Sequence, residues 1–172
     1  MDVNRLGRGE MVAAVSAIAL LLIMFIFDWF GFEGFGFNAW ESFGFIDIIL
    51  FITILVAIGA AVMAANAQSV DAPVAISALV AGLGILSVLL ILFRIIDPPG
   101  GGDVETLAGT VSVDIGRKIG VFLGLIAAGG IGYGGFLAMQ EEGTSFRDQG
   151  DRLQGGGPGG QPPAAGGPPP AV

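Results

Sequence analysis

The stretch MVAAVSAIALLLIMFIF, Met11 to Phe27, contains no charged residue and one polar side chain, Ser16. Its length falls within the roughly 17–25 apolar residues that carry an α-helix across the hydrocarbon core of a bilayer. Arg5 and Arg8 precede it, as in a secretory leader. However, the run exceeds the roughly 7–15 apolar residues of a leader, and Asp28-Trp29-Phe30 follows in place of a small-residue cleavage site. The run reads as a retained helix.

Three further runs have the same character. Ile48 to Ala65 carries only Thr53 as a polar residue, Val74 to Phe93 only Ser77 and Ser87, and Ile119 to Met139 only Tyr133. The fold expected is therefore all-α, an antiparallel four-helix transmembrane bundle, with spans at about 11–30, 46–65, 73–93 and 117–139 inside a domain covering 11–142. Residues 1–10 form a flank, and 143–172 a polar and then Gly/Pro-rich tail. From Gly155 onward 13 of 18 residues are Gly or Pro, a composition that buries too little apolar area to offset its ordering entropy and is expected to be disordered.

Composition supports lipid as the solvent. The 172 residues are 53% hydrophobic and 13% charged, against about 25% charged in soluble domains, and the mean hydropathy is +0.82. Cysteine and histidine are both absent. Their absence removes disulfides, thiolate nucleophiles, the commonest general base and the usual ligands of zinc and haem. The formal charge of -8 argues against nucleic acid as a partner, because phosphate contacts need clustered Lys and Arg.

The connections carry most of the polar residues. Residues 31–45 read as an aromatic, glycine-spaced loop. Trp29, Phe32, Phe35, Phe37 and Trp40 are expected there as interfacial aromatics, the side chains that favour the membrane–water boundary. Asn38 followed by Glu41 has capping-box spacing, which would start the second helix near Asn38 with an interfacial turn. Residues 66–72 make a polar turn before Pro73, a residue well suited to a first helical turn. Pro98-Pro99-Gly100 stops the third helix, and Val111, Val113 and Ile115 alternate with polar residues as in a short extended segment.

Arg5 and Arg8 lie before the first span, and the first loop has no Lys or Arg. The positive-inside rule then predicts cytoplasmic N- and C-termini for a multi-pass protein of the plasma membrane. The opposite face would hold eight acidic residues, including Asp28, Asp47 and Asp97, and three basic ones, Arg94, Arg117 and Lys118. Arg94 is a candidate for helix-end ion pairing with Asp28 or Asp47, three residues before Asp97. The alternative is that each charge is separately solvated. The acidic residues show no calcium-loop spacing, and no metal or cofactor site is expected. Neither Gly-rich segment has the form of a phosphate loop.

Gly116, Gly120, Gly124, Ala128 and Gly132 recur at every fourth position. Such a small-residue ladder lets helix backbones approach closely, within the chain or between copies in a homo-oligomer. The centres of all four runs lack ionisable groups, which removes the usual signature of an ion-coupled transporter.

Three segments, Asn38-Ala39-Trp40-Glu41-Ser42-Phe43, Phe93-Arg94-Ile95-Ile96-Asp97-Pro98-Pro99-Gly100 and Gly132-Tyr133-Gly134-Gly135-Phe136, stand in this order before an acidic, Pro/Gly-rich tail. In these features the chain resembles a group of small four-span membrane proteins from high-GC Gram-positive bacteria, over about residues 11–142. The resemblance implies the architecture and a plasma-membrane location. The function expected is that of a non-enzymatic structural or accessory component of the cell envelope, with the lipid bilayer and a membrane protein as partners. The alternatives are a small transport or channel component, which would need a polar path lined by Ser16, Thr53, Ser77, Ser87 and Tyr133, and a membrane enzyme using Asp28, Asp47 and Asp97 on lipid headgroups.

Overall fold

The computed structural model describes residues 6–32, 34–66, 73–100, 102–106, 109–113 and 115–142. The expected disordered tail, the 67–72 turn and the basic residue Arg5 lie outside these. The described chain is mostly helical. Its elements are α1 (Arg8–Ile26), β1 (Phe30–Phe32), β2 (Phe35–Phe37), α2 (Ala39–Ser42), α3 (Phe45–Ala65), α4 (Pro73–Ile96), β3 (Gly102–Thr106), β4 (Gly109–Val113), β5 (Gly116–Arg117) and α5 (Ile119–Glu141).

Four of the helices, α1, α3, α4 and α5, are long and apolar enough to cross a membrane. At about 1.5 Å per residue they measure roughly 28–36 Å, the scale of a bilayer core. Their packing places many small residues inside beside large ones such as Leu20, Leu50 and Ile54, and leaves many large apolar side chains outside. Along α1 the buried stripe is Gly9, Ala13, Ala17, Leu20 and Met24, while Val15, Ile18, Leu22 and Phe25 are exposed. On α3, Ala57, Ala61 and Ala65 are buried, and Ile48, Ile52 and Leu55 face outward. In water each such exposed side chain would forfeit about 1.5–3 kcal/mol of burial. Against lipid tails that penalty disappears, and close packing of small residues holds the helices together.

Helix α5 is wedged between α1 and α4, and α3 also touches both of these. Close approach explains its glycines. A Cβ on Gly134 would overlap the backbone of Gly9 and Ala13 in α1, and one on Gly135 the backbone of Ala81 in α4. Gly84 of α4 meets the backbone of Gly132 in the same way. Half of α5's apolar window is buried, against about a third for each of the others. The helix poorest in large side chains is the most enclosed.

An all-α fold is corrected by two small sheets. In the first, β1 is central, pairing antiparallel with β2 through Phe30–Phe37, Gly31–Gly36 and Phe32–Phe35, and with β5 through Phe30–Arg117 and Gly31–Gly116. Gly34, at φ +92°, supplies the left-handed turn residue between β1 and β2. The second is the β3–β4 hairpin, whose β4 takes in Val111 and Val113 of the alternating segment. The strands also set two helix ends. Helix α1 ends at Ile26 because the chain enters the sheet, and α5 begins at Ile119 because Gly116 and Arg117 pair with β1.

The Asn38–Glu41 capping box forms, with Glu41 N–H donating to Asn38 Oδ1 at 3.1 Å and Asn38 N–H to Glu41 Oε2 at 3.0 Å. It opens the four-residue α2 and not the long helix, which starts separately at Phe45.

Candidate functional site

Sheet β2-β1-β5, α2 and the adjoining helix ends form a collar at one end of the four helices. Trp29 is its anchor. Its side chain is fully enclosed, and its Nε1–H donates to the Ile23 carbonyl at 3.1 Å, in the last turn of α1. Its ring lies over α5 where Gly120 and Gly124 leave room; a Cβ at either position would overlap it. Phe43 meets Trp29 edge-on at 5.3 Å and Phe30 at 5.6 Å. Backbone bonds complete the clamp. Trp29 N–H donates to Phe37 O at 2.8 Å, Lys118 N–H to Trp29 O at 2.9 Å, and Gly120 N–H to Asp28 O at 3.0 Å.

Basic side chains of the β5–α5 junction tie the collar to its neighbours. Arg117 Nε donates to Ile95 O at 2.6 Å and Nη2 to Ile96 O at 3.4 Å. The guanidinium thus caps two carbonyls at the C-terminus of α4 and complements the negative end of its dipole. Lys118 Nζ pairs with Asp28 Oδ2 at 3.2 Å. That contact joins Asp28 to Lys118, a pair distinct from the Arg94 candidate.

Arg94 stacks over the Phe43 ring at 5.9 Å, with its Nε buried and without a hydrogen-bond partner. Asp47 is only 4% exposed, and its Oδ1 is likewise buried and unpartnered. Asp97 is exposed. Asp28, Asp47 and Asp97 are thus in three different environments, one ion-paired, one buried and one in solvent. Among the described residues no group of three acidic side chains is disposed to hold a metal ion.

The aromatic residues divide by role. Trp29 is buried as a wedge in the core, where two glycines of α5 open a slot for it. Trp40 is half-buried between Phe25 and Phe51, at 5.5 and 5.7 Å. Phe32 is half-buried, while Phe35, at the hairpin tip, is 73% exposed and Phe37 38%. Beside Phe37, a shallow groove of about 220 Å³ is walled by Glu41, Pro99 and Ile115.

The five positions of the small-residue ladder serve different neighbours. Gly116 lies in β5 near Gly31 O, Gly120 and Gly124 receive Trp29, Ala128 is buried, and Gly132 meets Gly84 and Ile85 of α4. Polar side chains between the helices are spent locally. Thr53 Oγ1 lies 3.1 Å from Ser87 Oγ, and Thr53 also donates to Ile49 O at 2.9 Å. Ser77 donates to Glu142 Oε1 at 2.7 Å, and Tyr133 is exposed on the outer surface of α5.

Sequence reasoning missed the roles of Arg117, Gly9 and Glu142. Arg117 gave no local signal, because the carbonyls it caps lie 21 and 22 positions earlier in the chain. Gly9 and Glu142 sit just outside the apolar runs and gave none. Compared with known protein families, characterised proteins and solved structures, the chain matches none.

Proposed function

We propose that the chain is an integral membrane protein of a bacterial plasma membrane, an antiparallel four-helix transmembrane bundle with cytoplasmic termini. Its collar faces outward and docks a component of the cell envelope. It acts by presenting a surface and carries out no chemistry of its own.

The observation that carries this reading is the construction of the collar. The Trp29 wedge, the Arg117 cap and the Asp28–Lys118 pair fix three short strands to the helix ends. On that fixed base Phe35 stands exposed, as does Phe37 beside Glu41. Exposed aromatics on a rigid support are the side chains that anchor protein interfaces at low entropic cost. The sealing of Thr53 and Ser87 on each other favours this reading over a transport pathway at that level. The lack of His and Cys favours it over an enzyme.

The test is a photoreactive phenylalanine analogue at position 35, irradiated in native membranes, with position 55 on the outer face of α3 as control. A discrete protein or envelope-polymer adduct at 35 and lipid alone at 55 is the outcome expected. Lipid adducts alone at both positions would contradict a docking role.

A further inference from the structure

At the end of the helices away from the collar, a cavity of about 110 Å³ lies between α1, α3, α4 and α5. Its walls are apolar and small, chiefly Ala57, Ala61, Val80 and Ala138, and its polar lining comes from Glu10, Ser77 and Glu142. Glu142 is held in place, because Ser77 donates to its Oε1 at 2.7 Å. Its other oxygen, Oε2, is buried and has no hydrogen-bond partner. Glu10 lies near enough to feel repulsion from both Glu142 and Glu141. Its own carboxylate also accepts from Gly7 N–H at 2.9 Å.

A carboxylate oxygen shut away from water without a donor is costly, and a second carboxylate nearby raises the cost. The cavity beside it has room for the missing donor. A metal ion does not fit the chemistry, since it needs several oxygen ligands and no such group is present among the described residues. A water supplies donors but no charge, and it leaves the alanine walls unmatched. An ammonium group meets both needs, with N–H donors and positive charge for Glu142 and Glu10 and a short hydrocarbon stem for the walls. Its size suits a small group, because a cavity of about 150 Å³ takes up benzene, and the 110 Å³ of this partly open pocket seats a stem of a few carbons.

We propose that this cavity is a binding site for a primary ammonium group on a short apolar stem, held by Glu142 Oε2 and Glu10 against the alanine walls of α3 and α5. Such a group is supplied by a free alkylamine or by the aminoethyl end of a lipid headgroup. The site is separate from the collar and does not depend on what the collar docks.

The test uses the full chain in phosphatidylcholine nanodiscs, titrated calorimetrically with n-propylammonium chloride against matched sodium chloride. Saturable binding of propylammonium and not of sodium is expected. Glu142→Gln is expected to weaken it by about tenfold, the scale of one charge-assisted hydrogen bond, whereas Glu141→Gln leaves it in place. Ala60→Leu, which fills the cavity and keeps both carboxylates, should abolish it while the thermal unfolding midpoint stays near that of the parent. Repeating the titration in phosphatidylethanolamine nanodiscs separates the two sources. Competition by the lipid identifies a headgroup site, and unchanged binding identifies a free amine; both support the assignment. Absence of saturable binding, or binding indifferent to both Glu142→Gln and Ala60→Leu, overturns it. So does binding that appears only after Arg5, Arg147 and Arg152 are replaced by Gln, for then the chain fills its own cavity.

Discussion

The indole ring of Trp29 rests on Gly124 so closely that a single added methyl would overlap it. One residue of the collar and one of the central helix therefore specify each other. Gly124→Ala is expected to cost about 1–3 kcal/mol, as overpacking does in other tight cores. Gly129, with open space where its Cβ would stand, provides the control on the same helix. There, replacement by Ala should be neutral or stabilising by up to about 1 kcal/mol through helix propensity. Thermal unfolding in detergent distinguishes the two, and equal midpoints would contradict the wedge.

The buried Thr53–Ser87 contact joins α3 to α4. Interhelical hydrogen bonds in membrane proteins contribute about 0.6–2 kcal/mol. Thr53→Val and Ser87→Ala should each destabilise by about that much and show positive coupling in a double-mutant cycle, because either change alone removes the same bond. Additive effects would indicate that the hydroxyls satisfy themselves elsewhere.

Arg117 stands in for the missing end of the α4 hydrogen-bond ladder. Arg117→Gln should shorten protection at the helix terminus. Amide exchange in the peptide covering 93–97 is expected to accelerate severalfold, while exchange in the middle of α4 stays unchanged. The global cost should be about 1 kcal/mol, the usual value of a helix-end interaction. Unaltered exchange at 93–97 would show the cap to be incidental.

Asp47 and Arg94 each keep a buried polar atom without a partner. Since no bond joins them in the structure, a double-mutant cycle with Asp47→Asn and Arg94→Gln should give a coupling below about 0.5 kcal/mol. A coupling of several kcal/mol would contradict this and favour the candidate helix-end ion pair.

How far the sequence could be read depended on the length of each signal. Four apolar runs of 17 or more residues are long enough to declare themselves against any background. The Asn38–Glu41 cap was legible because it is local, although the helix it opens proved to be a four-residue turn. The Phe-Gly-Phe strands were not legible, since three residues cannot display an alternation, and their pairing with Gly116–Arg117 spans more than eighty positions of chain. The burial of Trp29 was not legible either, since the slot that receives it is made by Gly120 and Gly124, about ninety positions further along the chain. The cavity was hidden for a related reason. Glu10 and Glu142 look like flanking charges in one dimension, and only the packing of α1 against α5 and α4 brings them to one space.

The account rests on the four helices crossing a bilayer, with the collar and the ammonium site on opposite sides. The chain has no cysteine, so single cysteines can be placed without background. The decisive measurement is labelling of Phe35→Cys, Leu55→Cys and Gln140→Cys with a membrane-impermeant maleimide, in intact and then permeabilised cells. Position 35 should label in intact cells, position 140 only after permeabilisation, and position 55 in neither. Labelling of 35 and 140 from the same side, or ready labelling of 55 in aqueous buffer, would contradict it.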